Sequence, residues 1–154
     1  MYLRSYSPSD CVTLYELFVD TVHAVNAKDY SKAQLDAWAP RKGSVSREAI
    51  LDSWNASFLL HHTVVALVNN LIVGFGDISS EGYLDRLFVH KDYQRQGIAT
   101  AICNDLEKSV EGKKITTQAS ITAKPFFIKR GYKVVKEQTV IRQGVALTNF
   151  LMEK

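Results

Sequence analysis

The chain has 154 residues, 46% apolar and 23% charged, which fits one ordinary globular domain spanning residues 1–154 with a core of its own. Its 19 basic and 16 acidic side chains leave a net charge of +3, too mild for a binder driven by nucleic-acid charge but favourable to an anionic ligand. Cys11 and Cys103 fall in apolar helical patterns and are expected to be reduced core residues. No signal pattern opens the chain and no apolar run approaches the ~20 residues of a membrane span, so a cytoplasmic protein is expected.

Tyr2 to Tyr6 reads as a first strand, ended by the turn formers Ser7-Pro8-Ser9-Asp10. Leu14, Leu17, Phe18, Thr21, Val22 and Val25 then recur at steps of three and four, which predicts an amphipathic helix capped by Ser9 or Asp10. Short helices are predicted over Asp29–Ala39 and over Ser46–Asn55, the latter capped by Ser46. Phe58 to Val68 is rich in β-branched and apolar residues and reads as a strand. A hairpin turn at Asn69-Asn70 leads to a strand over Leu71–Ile78, and another strand follows over Gly82–Val89. A helix over Gly97–Val110 places Ala99, Ile102, Cys103, Leu106 and Val110 on one face. A short strand over Lys114–Gln118, a short helix over Thr122–Lys129 and two strands, Tyr132–Ile141 and Val145–Met152, complete the order. That order predicts an α+β fold with a mixed central sheet.

The segment from Leu87 to Thr100 carries the chemistry. An apolar strand runs into the polar loop Lys91-Asp92-Tyr93-Gln94-Arg95-Gln96, and the loop opens directly into a helix at Gly97. The first N–H groups of a helix lack internal partners and sit at the positive end of its dipole. A pyrophosphate needs several such donors with no side chain in the way, which Gly97 and the small Ala99 permit, while Lys91 and Arg95 add positive charge. The same glycine equally suits a tight strand-to-helix turn.

Gln94-x-x-Gly97-x-Ala99 after Leu87-x-Val89 resembles the acyl-CoA signature of the GNAT superfamily, and Ala123-x-x-Phe126-Phe127-x-x-x-Gly131-Tyr132 resembles a later segment of that superfamily. The run Thr21-Val22-His23-x-Val25-Asn26-Ala27-x-Asp29-Tyr30-Ser31, with Gln34-x-x-Ala37-Trp38, resembles its YafP-like branch. The resemblance implies a mostly antiparallel sheet flanked by helices and the transfer of acetyl from acetyl-CoA to an amine, with no metal. It implies that Leu87, Phe88 and Val89 bond the pantetheine arm. Gln94, Arg95, Gln96, Gly97, Ile98, Ala99 and Thr100 would form the pyrophosphate loop, and Ser120, Phe126 and Phe127 would lie along the cofactor. Phe127 departs from the pattern, because the family has a tyrosine there as general acid; the acid is unassigned. Tyr132, after the glycine, reads as a core aromatic.

Two residues compete as general base. Strand alternation predicts that Tyr83, Asp85, Leu87 and Val89 share a face, which would put Asp85 beside the reacting carbonyl; an ion pair with a basic neighbour is its other reading. His23 has a proton affinity suited to neutral pH but also suits a hydrogen-bonded helix surface. Asp29, Tyr30 and Trp38 are candidates for the acceptor pocket, although Trp38 equally suits packing of the second helix on the sheet. His61 and His62 are adjacent in a strand and so cannot share a metal. Gly74-Phe75-Gly76 lacks the third glycine of a dinucleotide fingerprint. Two other functions fit the pattern: a non-catalytic acyl-CoA-binding module, given Phe127, and a toxin-type acetyltransferase acting on aminoacyl-tRNA, which would require a basic face near Lys28 and Lys32. Monomer and homodimer are both compatible with the sequence.

Overall fold

A computed structural model describes residues 1–42 and 45–154. The strands are β1 (Tyr2–Ser5), β2 (His62–Val68), β3 (Leu71–Ile78), β4 (Tyr83–Val89), β5 (Thr116–Ser120), β6 (Lys133–Arg142) and β7 (Val145–Glu153). The helices are α1 (Cys11–Val25), α2 (Lys32–Trp38), α3 (Arg47–Leu60), α4 (Ile98–Ser109) and α5 (Lys124–Lys129). The strands form one seven-stranded sheet in the order β1-β2-β3-β4-β5-β7-β6, antiparallel except where β4 meets β5. The α+β architecture with a mostly antiparallel sheet is as expected.

Two cores sit on opposite faces. One packs α4 and α5 against Val64, Ala66, Val73, Ile78, Leu84 and Val89. The other packs α1, α2 and α3 against Val65, Leu67, Phe75 and Phe88. Along β2 successive residues alternate between the two clusters, the period of a sheet buried on both faces; along β3 the alternation is shifted where Ala66 pairs with Gly74 and Leu67 with Ile72, so Val73 joins the first cluster and Phe75 the second. Gly74 and Gly76 explain how closely α4 lies on the sheet. A Cβ on Gly76 would stand 2.8 Å from Ile102 Cγ2 and 3.0 Å from Leu106 Cδ1, and one on Gly74 would stand 3.2 Å from Ile98 Cγ2. The glycine pair that fails as a nucleotide motif thus serves helix–sheet packing.

The expected turn at Asn69-Asn70 has positive φ at both residues, 51° and 64°, as a tight hairpin requires. Three expectations need correction. The strand expected from Phe58 begins at His62, because α3 continues through Leu60. Phe58 is 1% exposed while Leu59 and Leu60 are 58% and 82% exposed, which is a helical stripe with Trp54 rather than a strand's alternation. Asp10 does not cap α1 with its side chain. Its carboxylate is turned back to Arg4, at 2.8 and 2.9 Å, and to the Ser7 amide, closing the turn before the helix.

The third correction bears on the site. Ile78 pairs with Leu84 and Asp77 pairs with Arg86, so Asp85 is an extra residue in β4, a β-bulge. Beyond it the alternation reverses. Asp85 therefore does not share a face with Leu87 and Val89; it lies near Asp77 and His61, on the side of the sheet covered by α1 to α3.

Candidate active site

The loop expected to take a pyrophosphate has the required form. Gly97 precedes the first residue of α4 with φ 81°, no side chain caps the helix, and a Cβ built on Gly97 would meet nothing within 4 Å. The amides of Ile98, Ala99 and Thr100 belong to the first helical turn, which has no carbonyl partners of its own. Arg95 is held at φ 60°, and Arg95, Gln96 and Thr100 are exposed. Two side chains in this run do other work. Gln94 donates from Nε2 to the Val89 carbonyl at 2.6 Å, closing the loop on the end of β4. Ile98 is 2% exposed and packs into the core below α4, so its side chain is unavailable to a ligand.

β4 and β5 pair only through Tyr83–Thr116 and Leu84–Thr117 among the described residues. Beyond those pairs the strands separate, and a cavity of about 360 Å³ opens in the gap. Leu87 and Phe88 line it from β4, Ser120 from β5 and Phe127 from α5. Val89 is 8% exposed, and neither it nor Phe126 is in this lining; both pack in the core with α4. The Ser120 hydroxyl accepts from the Ala123 amide at 3.0 Å and from Asn26 Nδ2 at 3.5 Å, which fixes its position at the cavity edge.

The far wall of the cavity is aromatic: Phe18, Tyr30, Trp38, Trp54 and Phe88. Their rings interlock, with Phe18–Trp54 centroids 4.9 Å apart and Tyr30–Trp38 centroids 5.5 Å apart. Trp38 both packs α2 on the sheet, 6.4 Å from the Phe88 ring, and lines the cavity. Tyr30 is held from two sides: its hydroxyl donates to the Thr148 carbonyl at 2.6 Å and accepts from the Ile121 amide at 3.0 Å. Asp29 lies outside the lining and accepts from the Thr122 hydroxyl at 2.7 Å. His23 also lies outside it; its Nε2 is 2.7 Å from the Ala39 carbonyl, and the ring ties the end of α2 to α1.

Charge enters the cavity through the bulge. Asp85 and Arg86 both line it, and their closest approach is 3.4 Å. The Asp85 side chain is 30% exposed; its partial burial at the cavity holds the carboxyl above its ordinary 3.8, with Asp77 adding to the rise while Arg86 and His61 oppose it. The Arg86 guanidinium lies over the rings of Trp54 and Phe58, at 4.5 and 5.0 Å. Tyr132, by contrast, donates to Glu107 in the core under α4, as expected of a core aromatic.

Comparison with known proteins places this geometry. The family model for the acetyltransferase (GNAT) domain matches residues 26–154. The chain belongs to the GNAT acetyltransferase family. The uncharacterised N-acetyltransferase YafP of Escherichia coli strain K12 is 38% identical over 151 residues, covering 97% of this chain and 93% of that protein. A crystal structure described as the GCN5-related N-acetyltransferase: aminotransferase, class-II from Rhodopseudomonas palustris has a TM-score of 0.90 at 32% identity, covering 99% of this chain and 94% of that one. The fold is also that of the PaiA N-acetyltransferase from Thermoplasma acidophilum, solved with coenzyme A, with a TM-score of 0.74 at 22% identity over 99% of this chain and 97% of that one. Membership of the GNAT family makes the protein an acetyl-CoA-dependent N-acetyltransferase.

Several residues in or behind this cavity gave no indication of that place in the sequence. Phe18 and Trp54 look like ordinary positions on helical apolar faces, and only the opening between β4 and β5 exposes them to a cavity. Arg86 follows an unforeseen bulge. Asp77 did carry a signal, since it is the one acid inside the otherwise apolar strand β3.

Proposed function

We propose that this enzyme transfers the acetyl group of acetyl-CoA directly to the primary amine of a small acceptor, with Asp85 as general base. The residues present fit the co-substrate. An uncapped helix start behind a glycine in the left-handed region gives a pyrophosphate open access to the amides of Ile98, Ala99 and Thr100, with Arg95 and Lys91 as flanking charge. The co-substrate supplies an acyl group already activated as a thioester. Leu87, Phe88 and Ser120 line the gap that would receive its reactive end, and the aromatic wall opposite would seat the acceptor.

One observation carries the assignment of the base. Among the described residues lining the cavity, Asp85 is the only carboxylate, and no histidine is there. An amine with an ordinary pKa of about 10.4 is almost wholly protonated at neutral pH, so the site must accept a proton for the nitrogen to attack. The raised proton affinity of Asp85 suits that task. His23, committed to the Ala39 carbonyl outside the cavity, does not meet it. With Phe127 there is no tyrosine hydroxyl at the family's acid position, and a thiolate is a good enough leaving group to depart with a proton from water.

Calorimetric titration with acetyl-CoA tests the loop, and a panel of primary amines tests transfer. Micromolar binding that disappears in Gly97→Trp is the expected result, since the indole would fill the space in front of the first-turn amides. Binding that persists in the variant would detach the loop from the co-substrate. Tight binding with no turnover on any amine would favour a non-catalytic acyl-CoA-binding module.

A further inference from the structure

Behind the cavity wall lies a chain of charged groups that the reaction as proposed does not use. Asp77 on β3 is wholly buried, and its Oδ2 takes two partners: Arg86 Nη1 at 2.6 Å and His61 Nδ1 at 2.8 Å. Among the described residues its other oxygen has no hydrogen-bond partner. The Arg86 guanidinium also donates to Ser57 Oγ at 3.2 Å and is stacked on Trp54 and Phe58, so its position is set from several sides. The same Nη1 is 3.4 Å from Asp85 Oδ2, and no shorter polar contact reaches Asp85 among the described residues. The bulge creates this arrangement by bringing Asp85 to the side of the sheet where Asp77 holds Arg86.

We infer that Asp77 and His61 are positioning residues for the proposed reaction: Asp77 holds the Arg86 guanidinium back from Asp85, leaving that carboxylate free to take the acceptor's proton, and His61, sharing the same Asp77 oxygen, sets how firmly Arg86 is held. The inference rests on the reading of Asp85 as the base. A carboxylate gripped at short range by arginine is a poor base, because the pair stabilises its charged form. Here the short bond goes to the buried Asp77 and the longer approach to the cavity-facing Asp85. His61, directly after α3 and largely buried, shares Asp77 with Arg86, and its own proton affinity is raised chiefly by that hydrogen bond. The charged and titratable groups facing Asp85 are Tyr83 and Arg86 from β4, Asp77 from β3, His61 from the junction of α3 and β2, and Arg142 of β6 at the cavity lining. His61, Asp77 and Asp85 also place three ligand atoms within 4.8 Å of one another, but the positive charge of Arg86 already occupies Asp77 and opposes a divalent cation there.

Two substitutions predict shifts of opposite sign. In Asp77→Asn, Arg86 loses its main anchor and Asp85 loses a negative neighbour; both changes favour the Asp85 carboxylate, so its titration midpoint falls by roughly one pH unit. In His61→Gln a positive neighbour of Asp85 is lost and Asp77 keeps Arg86 to itself, so the midpoint rises by a smaller amount. The measurement is a pH titration of protein carrying carbon-13 at its aspartate side-chain carboxyls, followed by NMR, with Asp85→Asn identifying the resonance. No acceptor is needed. Opposite shifts sustain the inference; midpoints unmoved in both variants, or an upward shift in Asp77→Asn, overturn it. If Asp77→Asn does not fold, His61→Gln decides alone, an upward shift sustaining the inference and an unmoved midpoint overturning it. Turnover on amines by Asp85→Asn separates this from the underlying reading: full activity there removes the base itself, whereas lost activity with unmoved midpoints removes only the positioning pair.

Discussion

Gln94 donates from its side-chain amide to the Val89 carbonyl over 2.6 Å, tying the loop before α4 to the last residue of β4. The stretch from His90 to Gln96 is otherwise held to the sheet by the His90 amide on the Val73 carbonyl at 2.8 Å and by the Tyr93 ring on the core, so Gln94 is the side-chain tie nearest the helix start. Gln94→Ala is expected to weaken acetyl-CoA binding about tenfold, the effect of roughly 1–1.5 kcal/mol for one hydrogen bond, with little change in Tm. Titration calorimetry and a thermal melt of the same variant check both parts.

Gly76 meets Ile102 and Leu106 so closely that any side chain must push α4 away from the sheet. Gly76→Val is expected to destabilise the fold by roughly 1–3 kcal/mol, lowering Tm by about 3–10 °C. A melt within 1 °C of wild type would mean that α4 adjusts freely, contrary to the packing described.

Asp85→Asn is expected to cut turnover by about 100-fold or more, the usual contribution of a general base, and to leave acetyl-CoA binding intact. Because burial raises the Asp85 carboxyl above 3.8, activity should be lost as pH falls through a value higher than an ordinary aspartate shows. The acid limb of the kcat/KM profile measures it.

Tyr30 satisfies two backbone groups at once, and Tyr30→Phe strands both the Thr148 carbonyl and the Ile121 amide. A loss of roughly 1–3 kcal/mol is expected in denaturant unfolding. The aromatic wall keeps its shape in this variant, so acetyl-CoA affinity should change less than threefold.

The Arg4 guanidinium holds the Asp10 carboxyl below its ordinary 3.8 by direct hydrogen bonds. A carboxyl depressed in the folded state contributes stability above its unfolded pKa and loses that contribution as pH falls through the folded value. Asp10→Asn is therefore expected to be less stable than wild type at neutral pH, with the difference shrinking as pH falls below the ordinary aspartate range and through the lowered Asp10 value. Urea melts of the two proteins across the acid range give the comparison.

Much of this was legible because the governing interactions are local. The stripe Leu14, Leu17, Phe18, Val22 specifies α1, Asn69-Asn70 specifies its hairpin, and Ser46 specifies a cap, since each depends on residues within a turn or two. The strand–loop–helix at Leu87 to Thr100 was equally readable, because an uncapped helix start behind a glycine is a feature of chain order. The limit shows at Phe58-Leu59-Leu60, where a run of apolar residues suits helix and strand alike until the packing of Phe58 on Trp54 and Phe75 decides.

Chain order alone therefore carries the succession of strands and helices, the α+β class and the loop at Gly97, whereas burial of the sheet on both faces emerges from packing. The cavity and its charged groups follow from long-range packing. The separation of β4 from β5 turns Phe18, Trp38 and Trp54 from core residues into a cavity wall, and one extra residue at Asp85 reverses the alternation that would have aimed it at the other face. Asp77, His61 and Arg86 converge from separate elements, and no periodicity in the chain encodes that meeting. Side-chain direction in a strand has a period of two, so a single bulge, set by pairing with a neighbouring strand rather than by local sequence, redirects every residue beyond it.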